Sequence, residues 1–206
     1  MKRWMMLAAC AVVMGCESAS PVAENAALTQ NVAESVANDA ELVVANEAIE
    51  PAVRPLLNIA PGAVALVDPN SGRSRELAFG TPREAAIEAV TLALGAPGER
   101  GINNECGGGA MRYATFADAL TLWFQEDKLV GWHLDDAGPG LTTATGAGIG
   151  STRSAVAGAL AIEDVRDSSL GREFTTAGGT LSGLLDGSGD AATVTALWSG
   201  QACLFR

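Results

Sequence analysis

Histidine is nearly missing from this 206-residue chain, which contains only one, His133. A hydrolase with a serine triad needs a histidine beside its nucleophile, and no serine of the chain stands in a GxSxG segment. Zinc usually takes several histidine or cysteine ligands, and the turns at 68–72 and 186–190 lack the bidentate glutamate of a calcium loop. The sequence therefore predicts no catalytic residue, no metal site and no cofactor.

Basic residues are also scarce, with 13 Lys and Arg against 24 Asp and Glu and a formal net charge of −11. A surface with this balance repels phosphate backbones, so nucleic acid is not expected as a partner. The chain has no P-loop lysine, and the glycines at 146–150 follow a GxGxG spacing instead of the GxGxxG of dinucleotide-binding loops. Nucleotide binding is therefore not expected either.

Aromatic residues make up 5% of the chain, and three of its four tryptophans stand in segments that are typical of β-strands. In the segment 128–134, Val130, Trp132 and Leu134 are expected to share one face, with Trp132 pointing into the core. Trp123, His133 and Trp198 are the candidates for a binding face.

The N-terminus begins with Lys2 and Arg3 and continues as an apolar run over 5–14, which is too short to cross a bilayer as a helix. The residues Val13-Met14-Gly15-Cys16 resemble the lipobox of bacterial lipoproteins. The resemblance implies a signal peptide at 1–15 and a mature protein whose Cys16 carries acyl chains such as palmitate, which hold it on a membrane. An ordinary secretory peptide with an incidental cysteine is the alternative.

Residues 16–50 carry seven acidic side chains and no Lys, Arg or aromatic residue. This composition predicts a disordered acidic tether that spans on the order of 30 Å and holds the folded part away from the membrane. By the sorting rule of the lipoproteins that the chain resembles, Glu17 after the cysteine implies the outer membrane. The protein is expected to face the periplasm.

Only two cysteines, Cys106 and Cys203, fall within residues 51–206, a segment long enough for one domain with its own core. Because a lipoprotein matures in an oxidising compartment, these cysteines are expected to form a disulfide that closes a loop of about 100 residues. Two buried free thiols are the alternative.

Two segments of this domain begin in a similar way. The residues Thr81-Pro82-Arg83-Glu84 predict a helix that is capped by Thr81 and stopped at Gly95. Residues 149–160 repeat the small-residue entry and the short apolar stripe, with Ser151 as the predicted cap.

Antiparallel strands are predicted beside both helices. The predicted hairpins lie at 63–79, 119–134 and 180–198, and a last strand is predicted at 202–205. The fold prediction is an α+β domain of two similar units, at about 63–136 and 145–206. Each unit is a short helix plus an antiparallel hairpin, with the helices packed on one face of an antiparallel sheet.

This repeated pattern resembles the repeats of the β-lactamase inhibitory protein and of the small lipoprotein in the outer-membrane barrel-assembly machine. The chain also resembles uncharacterised bacterial envelope proteins through Glu105-Cys106-Gly107, Gly148-Ile149-Gly150-Ser151-Thr152 and Cys203-Leu204-Phe205-Arg206. The resemblances imply a non-enzymatic envelope protein that binds a protein partner through an open sheet face or supports envelope assembly. The alternative hypothesis is an envelope hydrolase or hydrolase inhibitor, with a site near His133 or in the glycine-rich loop between Glu105 and Ala110.

Overall fold

The computed structural model describes residues 53–135, 138 and 140–204 of the chain. The predicted signal peptide at 1–15, the lipidation site Cys16 and the tether at 16–50 lie outside the described residues. Within these ranges the chain forms eleven β-strands, two α-helices and one 3-10 helix. In chain order they are β1 (Leu56–Ala60), β2 (Ala63–Val67), β3 (Ser74–Ala78), α1 (Arg83–Leu94), β4 (Glu99–Asn103), β5 (Met111–Phe116), β6 (Leu120–Gln125), β7 (Lys128–Leu134), α2 (Arg153–Ala159), β8 (Ile162–Asp164), β9 (Arg172–Thr176), β10 (Ser182–Asp186), the 3-10 helix (Gly189–Ala191) and β11 (Thr193–Gly200).

The prediction of an α+β class is wrong, because most of the regular structure is antiparallel sheet and the fold is mainly β. Each helix is followed by four strands, where the sequence predicts a two-stranded hairpin. Two of the missed strands, β4 and β8, read ERGIN and IED. Such short, polar segments carry no clear alternation, so sequence pattern alone does not identify them as strands.

The helices also do not cover one face of the large sheet as predicted. Helix α1 contacts β1, β2 and β7, whereas α2 contacts the 3-10 helix. Helix α2 is seven residues long and buries one side chain, Val156. In the described part of the chain, neither helix is long and apolar enough to cross a membrane.

The three predicted hairpins are confirmed as β2–β3, β6–β7 and β10–β11. The turn of the second hairpin contains Glu126 and Asp127, which adopt φ values of 51° and 55°. Positive φ at both central residues matches the right-handed twist of the flanking strands. The predicted last strand is wrong in its described part, because residues 202–204 form no strand.

An eight-stranded antiparallel sheet forms from two four-stranded meanders in the order β4-β5-β6-β7-β11-β10-β9-β8. The meanders join through β7 and β11, whose pairs run from Leu197↔Leu134 to Gly200↔Gly131. Strands β1, β2 and β3 form a separate three-stranded sheet. Each face of the large sheet is therefore continuous across both meanders.

One hydrophobic core contains buried side chains from both sheets and from α1. Trp132 is fully buried in it, as predicted, and its indole Nε1 donates a hydrogen bond to the carbonyl oxygen of Ala60 at 2.9 Å. The hydroxyl of Ser199 on β11 accepts a hydrogen bond from the N–H of Gly62 at 2.8 Å. These bonds attach the small sheet where β7 and β11 meet. The face that carries Trp132 is the inner face, and the opposite face is the outer face.

The two helix starts differ from the predicted caps. The hydroxyl of Thr81 donates to the carbonyl oxygen of Ala78 at 2.7 Å, and α1 has no side-chain cap. In α2 the capping hydroxyl belongs to Thr152, which accepts from the N–H of Ala155, whereas Ser151 accepts from the N–H of Gly148. The predicted stop of α1 at Gly95 is confirmed, with a φ of 85°.

A β-bulge changes which residues of β7 lie on each face of the sheet. The register passes from Trp123↔Gly131 to Phe124↔Leu129, which leaves Val130 without a partner on β6. Val130 lies with Trp123 on the outer face, whereas Trp132 and Leu134 lie in the inner core. The prediction that Val130 shares the face of Trp132 is therefore wrong, because one inserted residue reverses the alternation.

Replacing Gly131 with alanine is expected to lower the free energy of unfolding by about 1–3 kcal/mol, the usual cost of overpacking. A Cβ at this position would overlap the backbone carbonyl oxygen of Gln201. Gly158→Ala in α2 is the control, because no heavy atom lies within 4 Å of its added Cβ. Alanine there is expected to leave stability unchanged or to raise it by up to about 1 kcal/mol. Urea denaturation measures the free energy of unfolding of both variants. Equal changes in the two variants would contradict the close approach of Gln201 to Gly131.

Candidate functional site

Residues 201–204, the C-terminal strap, cross the outer face of the sheet. The N–H of Gln201 donates to the carbonyl oxygen of Val130 at 2.9 Å, so the chain passes from the end of β11 onto β7. Gly200 precedes the strap with a φ of 69°, a conformation that suits glycine. Cys203 is disulfide-bonded to Cys106, and their Cα atoms lie 5.0 Å apart. The predicted disulfide is confirmed, and it attaches the strap to the loop that precedes β5.

A small apolar cluster lies beneath this disulfide on the outer face. Its buried members are Cys106, Met111 and Trp123, and Tyr113, Val130, Ala202 and Cys203 pack against them. The side chain of Trp123 is 8% exposed, and its ring centroid lies 5.6 Å from that of Tyr113. The indole Nε1 of Trp123 is buried and makes no hydrogen bond. Trp123 is therefore part of the packing under the strap, and it is not among the residues that line the cleft described next.

A cleft of about 370 Å³, the strap cleft, opens beside this segment. Its lining residues are Cys106, Gly107, Gly108, Met111, Gln125, Trp198, Gly200, Gln201, Ala202 and Leu204. The Nε2 of Gln125 donates to the carbonyl oxygen of Gly108 at 3.0 Å, which holds the glycine-rich loop against β6. The cysteine is in the disulfide, so no described lining residue titrates near neutral pH. The cleft can bind by apolar contact and by hydrogen bonds from amide groups.

One row of paired residues crosses the outer face from edge to edge. In order from β4 to β8, its members are Glu99, Thr115, Thr121, His133, Trp198, Ser182, Thr175 and Glu163. Neighbouring hydroxyls approach to 3.0 Å in the first half and 3.1 Å in the second. His133 and Trp198 are paired at the centre, where the meanders join.

His133 is partly buried on this row. Burial lowers the pKa of its imidazole below the usual 6.5, and the negative charge of Asp135 acts in the opposite direction. The neutral form is therefore favoured at neutral pH. In that form the side chain offers one hydrogen-bond donor and one acceptor.

The three predicted binding residues, Trp123, His133 and Trp198, all lie on the outer face. They differ in their surroundings, because Trp123 packs under the strap and Trp198 is 5% exposed at the wall of the strap cleft. Sequence reasoning missed Gln125 and Gln201 as lining residues. Three sequence signals pointed to the cleft: Trp198, the glycine-rich loop between Glu105 and Ala110, and Cys203, whose disulfide requires the last residues to reach Cys106.

Comparisons of this chain with family models, with curated proteins and with solved structures find no match. Within the described ranges, no three or more His, Cys, Asp or Glu side chains are grouped so that they could hold a metal ion.

Acidification through pH 6.5 is expected to weaken the fold through His133. Because the folded-state pKa lies below 6.5, the unfolded chain takes up the proton first as the pH falls, and the free energy of unfolding decreases. Above that pH both states are neutral at this residue, so it contributes no pH dependence.

An NMR titration of the single imidazole measures its pKa in the folded protein. His133→Gln is expected to remove this part of the pH dependence, which urea denaturation at several pH values would detect. A folded-state midpoint at or above 6.5 would contradict the effect of burial.

Proposed function

We propose that this chain is a lipid-anchored protein of the bacterial cell envelope that binds a protein partner through the strap cleft and catalyses no reaction there. The observation that carries the proposal is the lining of the cleft. Trp198 and Met111, which are nearly buried, form its apolar floor, and the half-buried Leu204 and the amide groups of Gln125 and Gln201 stand beside it. Protein interfaces have the same character at their centres, where apolar anchors are surrounded by a few hydrogen-bonding groups.

The size and polarity of the cleft favour an extended, uncharged peptide segment as the bound part of the partner. A volume of about 370 Å³ is near the lower end for ligand sites and suits one anchoring side chain with its backbone. The side-chain amides of Gln125 and Gln201 can donate to and accept from a peptide backbone. A general acid or base is lacking among the described lining residues, so the cleft is better suited to binding than to hydrolysis.

The proposed location comes from the N-terminal sequence. Lys2, Arg3 and the segment that ends in Cys16 support a lipoprotein signal, and Glu17 supports the outer membrane with the protein facing the periplasm. The disulfide between Cys106 and Cys203 agrees with an oxidising compartment such as the periplasm. The acidic segment at 16–50 would separate the binding domain from the lipid surface.

The alternative is an envelope hydrolase or hydrolase inhibitor with a site in the loop between Glu105 and Ala110, which borders the strap cleft, or near His133. Asp135 is the carboxylate whose charge acts on this imidazole, and Trp198 is its neighbour on β11. A triad would need an activated nucleophile, and a glycosidase would need two carboxylates across one site. The described surroundings of His133 support neither arrangement as well as the strap cleft supports binding.

Photo-crosslinking in intact cells tests the strap cleft. A photoreactive phenylalanine analogue at Gln201, which is exposed and lines the cleft, is expected to form an adduct of discrete mass. The same analogue at Glu76, an exposed residue of β3, is the matched control and is expected to form none. His133→Ala is expected to leave the Gln201 adduct unchanged. No adduct at Gln201, or equal adducts at both positions, would contradict the proposal.

Membrane attachment through Cys16 is tested by cell fractionation and mass spectrometry. Cys16→Ser is expected to move the protein out of the membrane fraction and to remove the acylated N-terminal peptide. Cys10→Ser changes the other cysteine of the N-terminal segment and is expected to have no effect on either measurement. Unchanged membrane recovery of the Cys16 variant would exclude a lipid anchor at this residue.

A further inference from the structure

Three arginines meet at one corner of the inner face, which we call the arginine corner. A pocket of about 220 Å³ there is lined by Arg83, Arg100 and Arg112 with Glu84, Ile87, Gly101, Ile102 and Tyr113. Arg83 is the first residue of α1, while Arg100 and Arg112 lie on β4 and β5. Arg100 pairs with the buried Ala114, and Arg112 pairs with the buried Phe124. Paired residues share a face, so both arginines lie on the inner face, beside the core.

These arginines are only partly neutralised by their own chain. Arg83 Nη2 lies 3.1 Å from Glu84 Oε1, and Arg83 Nε lies 3.2 Å from Asp127 Oδ1. Arg112 Nε lies 4.0 Å from that same oxygen of Asp127. Arg100 is exposed and makes no ion pair with a described residue. Among the described residues, the three guanidinium groups therefore have only two carboxylates as ion-pair partners, those of Glu84 and Asp127.

The arginine at the start of the second helix, in contrast, is neutralised by its own chain. Arg153, the first residue of α2, lies 3.1 Å from Asp164 Oδ1 and 3.7 Å from Asp190 Oδ1. One cation there has two carboxylates. The positive excess at the arginine corner is therefore a local property, in a chain whose net charge is −11. A concave site with such an excess concentrates anions.

We propose that the arginine corner binds a carboxylate of an acidic peptide. A guanidinium group donates two parallel hydrogen bonds to a carboxylate, and Arg100 is available to do so. Ile102, which is 50% exposed, offers apolar contact to the methylene groups of a glutamate side chain. The pocket volume of about 220 Å³ suits one such side chain. This site lies on the opposite face from the strap cleft and does not depend on the function proposed there.

The proposed occupant is an acidic peptide segment of another protein.

An NMR titration of the full mature chain in neutral detergent tests the site at low ionic strength. N-acetyl-Glu-Glu is expected to cause saturable shifts of the amide signals of Ile102 and Arg112, and N-acetyl-Gln-Gln is expected to cause none. Arg100→Gln is expected to raise Kd about tenfold, the effect of losing one charge-assisted pair. Arg75→Gln is the matched control, because Arg75 is an exposed arginine of β3 outside this pocket. It is expected to leave Kd unchanged.

Two outcomes would overturn the proposal. One is the lack of a saturable response to the acidic dipeptide, or an equal loss of binding in both arginine variants. The other is saturation by inorganic phosphate without any response to the dipeptide, which would assign the pocket to a different anion. A thermal melt checks that the variants remain folded.

Discussion

The antiparallel pairing of β7 with β11 is the constraint on which the rest of the structure depends. It joins two meanders into one sheet through residue pairs such as Trp198↔His133 and Ser199↔Trp132. Alternation then places Trp132 and Ser199 on the inner face, where they bond to the small sheet, and His133 and Trp198 on the outer face. Without this pairing, both strands would present open edges, which other chains can pair with.

The disulfide adds a second long-range constraint on the outer face. It closes a loop with a sequence separation of 97 residues, for which the chain-entropy model gives roughly 4–5 kcal/mol of stabilisation. The position of the disulfide also determines which residues are covered and which are accessible on the outer face. The strap covers Trp123 and Gly131, and it contributes Gln201, Ala202 and Leu204 to the wall of the cleft. The same covalent bond therefore stabilises the fold and forms the proposed binding site.

Some strands and helix ends could be predicted from the sequence, and others could not. The hairpins were predictable because β-branched and aromatic residues flank turn residues such as those at 126–127 and 186–190. The strands β4 and β8 were not, because ERGIN and IED become strands only by pairing with β5 and β9. The caps at Thr81 and Ser151 failed for a local reason: each hydroxyl bonds to a turn residue before its helix. These errors led to the wrong fold class.

The sequence by itself determined the turns, the stop of α1 at Gly95, the burial of Trp132 and the identity of the disulfide partners, because each depends on local residue chemistry or on the small number of cysteines. Tertiary structure alone decided the faces of β7, since the bulge at Val130 arises from pairing between strands. Tertiary structure also decided which residues line the strap cleft and the arginine corner. Arg83 and Arg100 belong to different elements, and only the packing of a helix beside a sheet edge places them around one pocket.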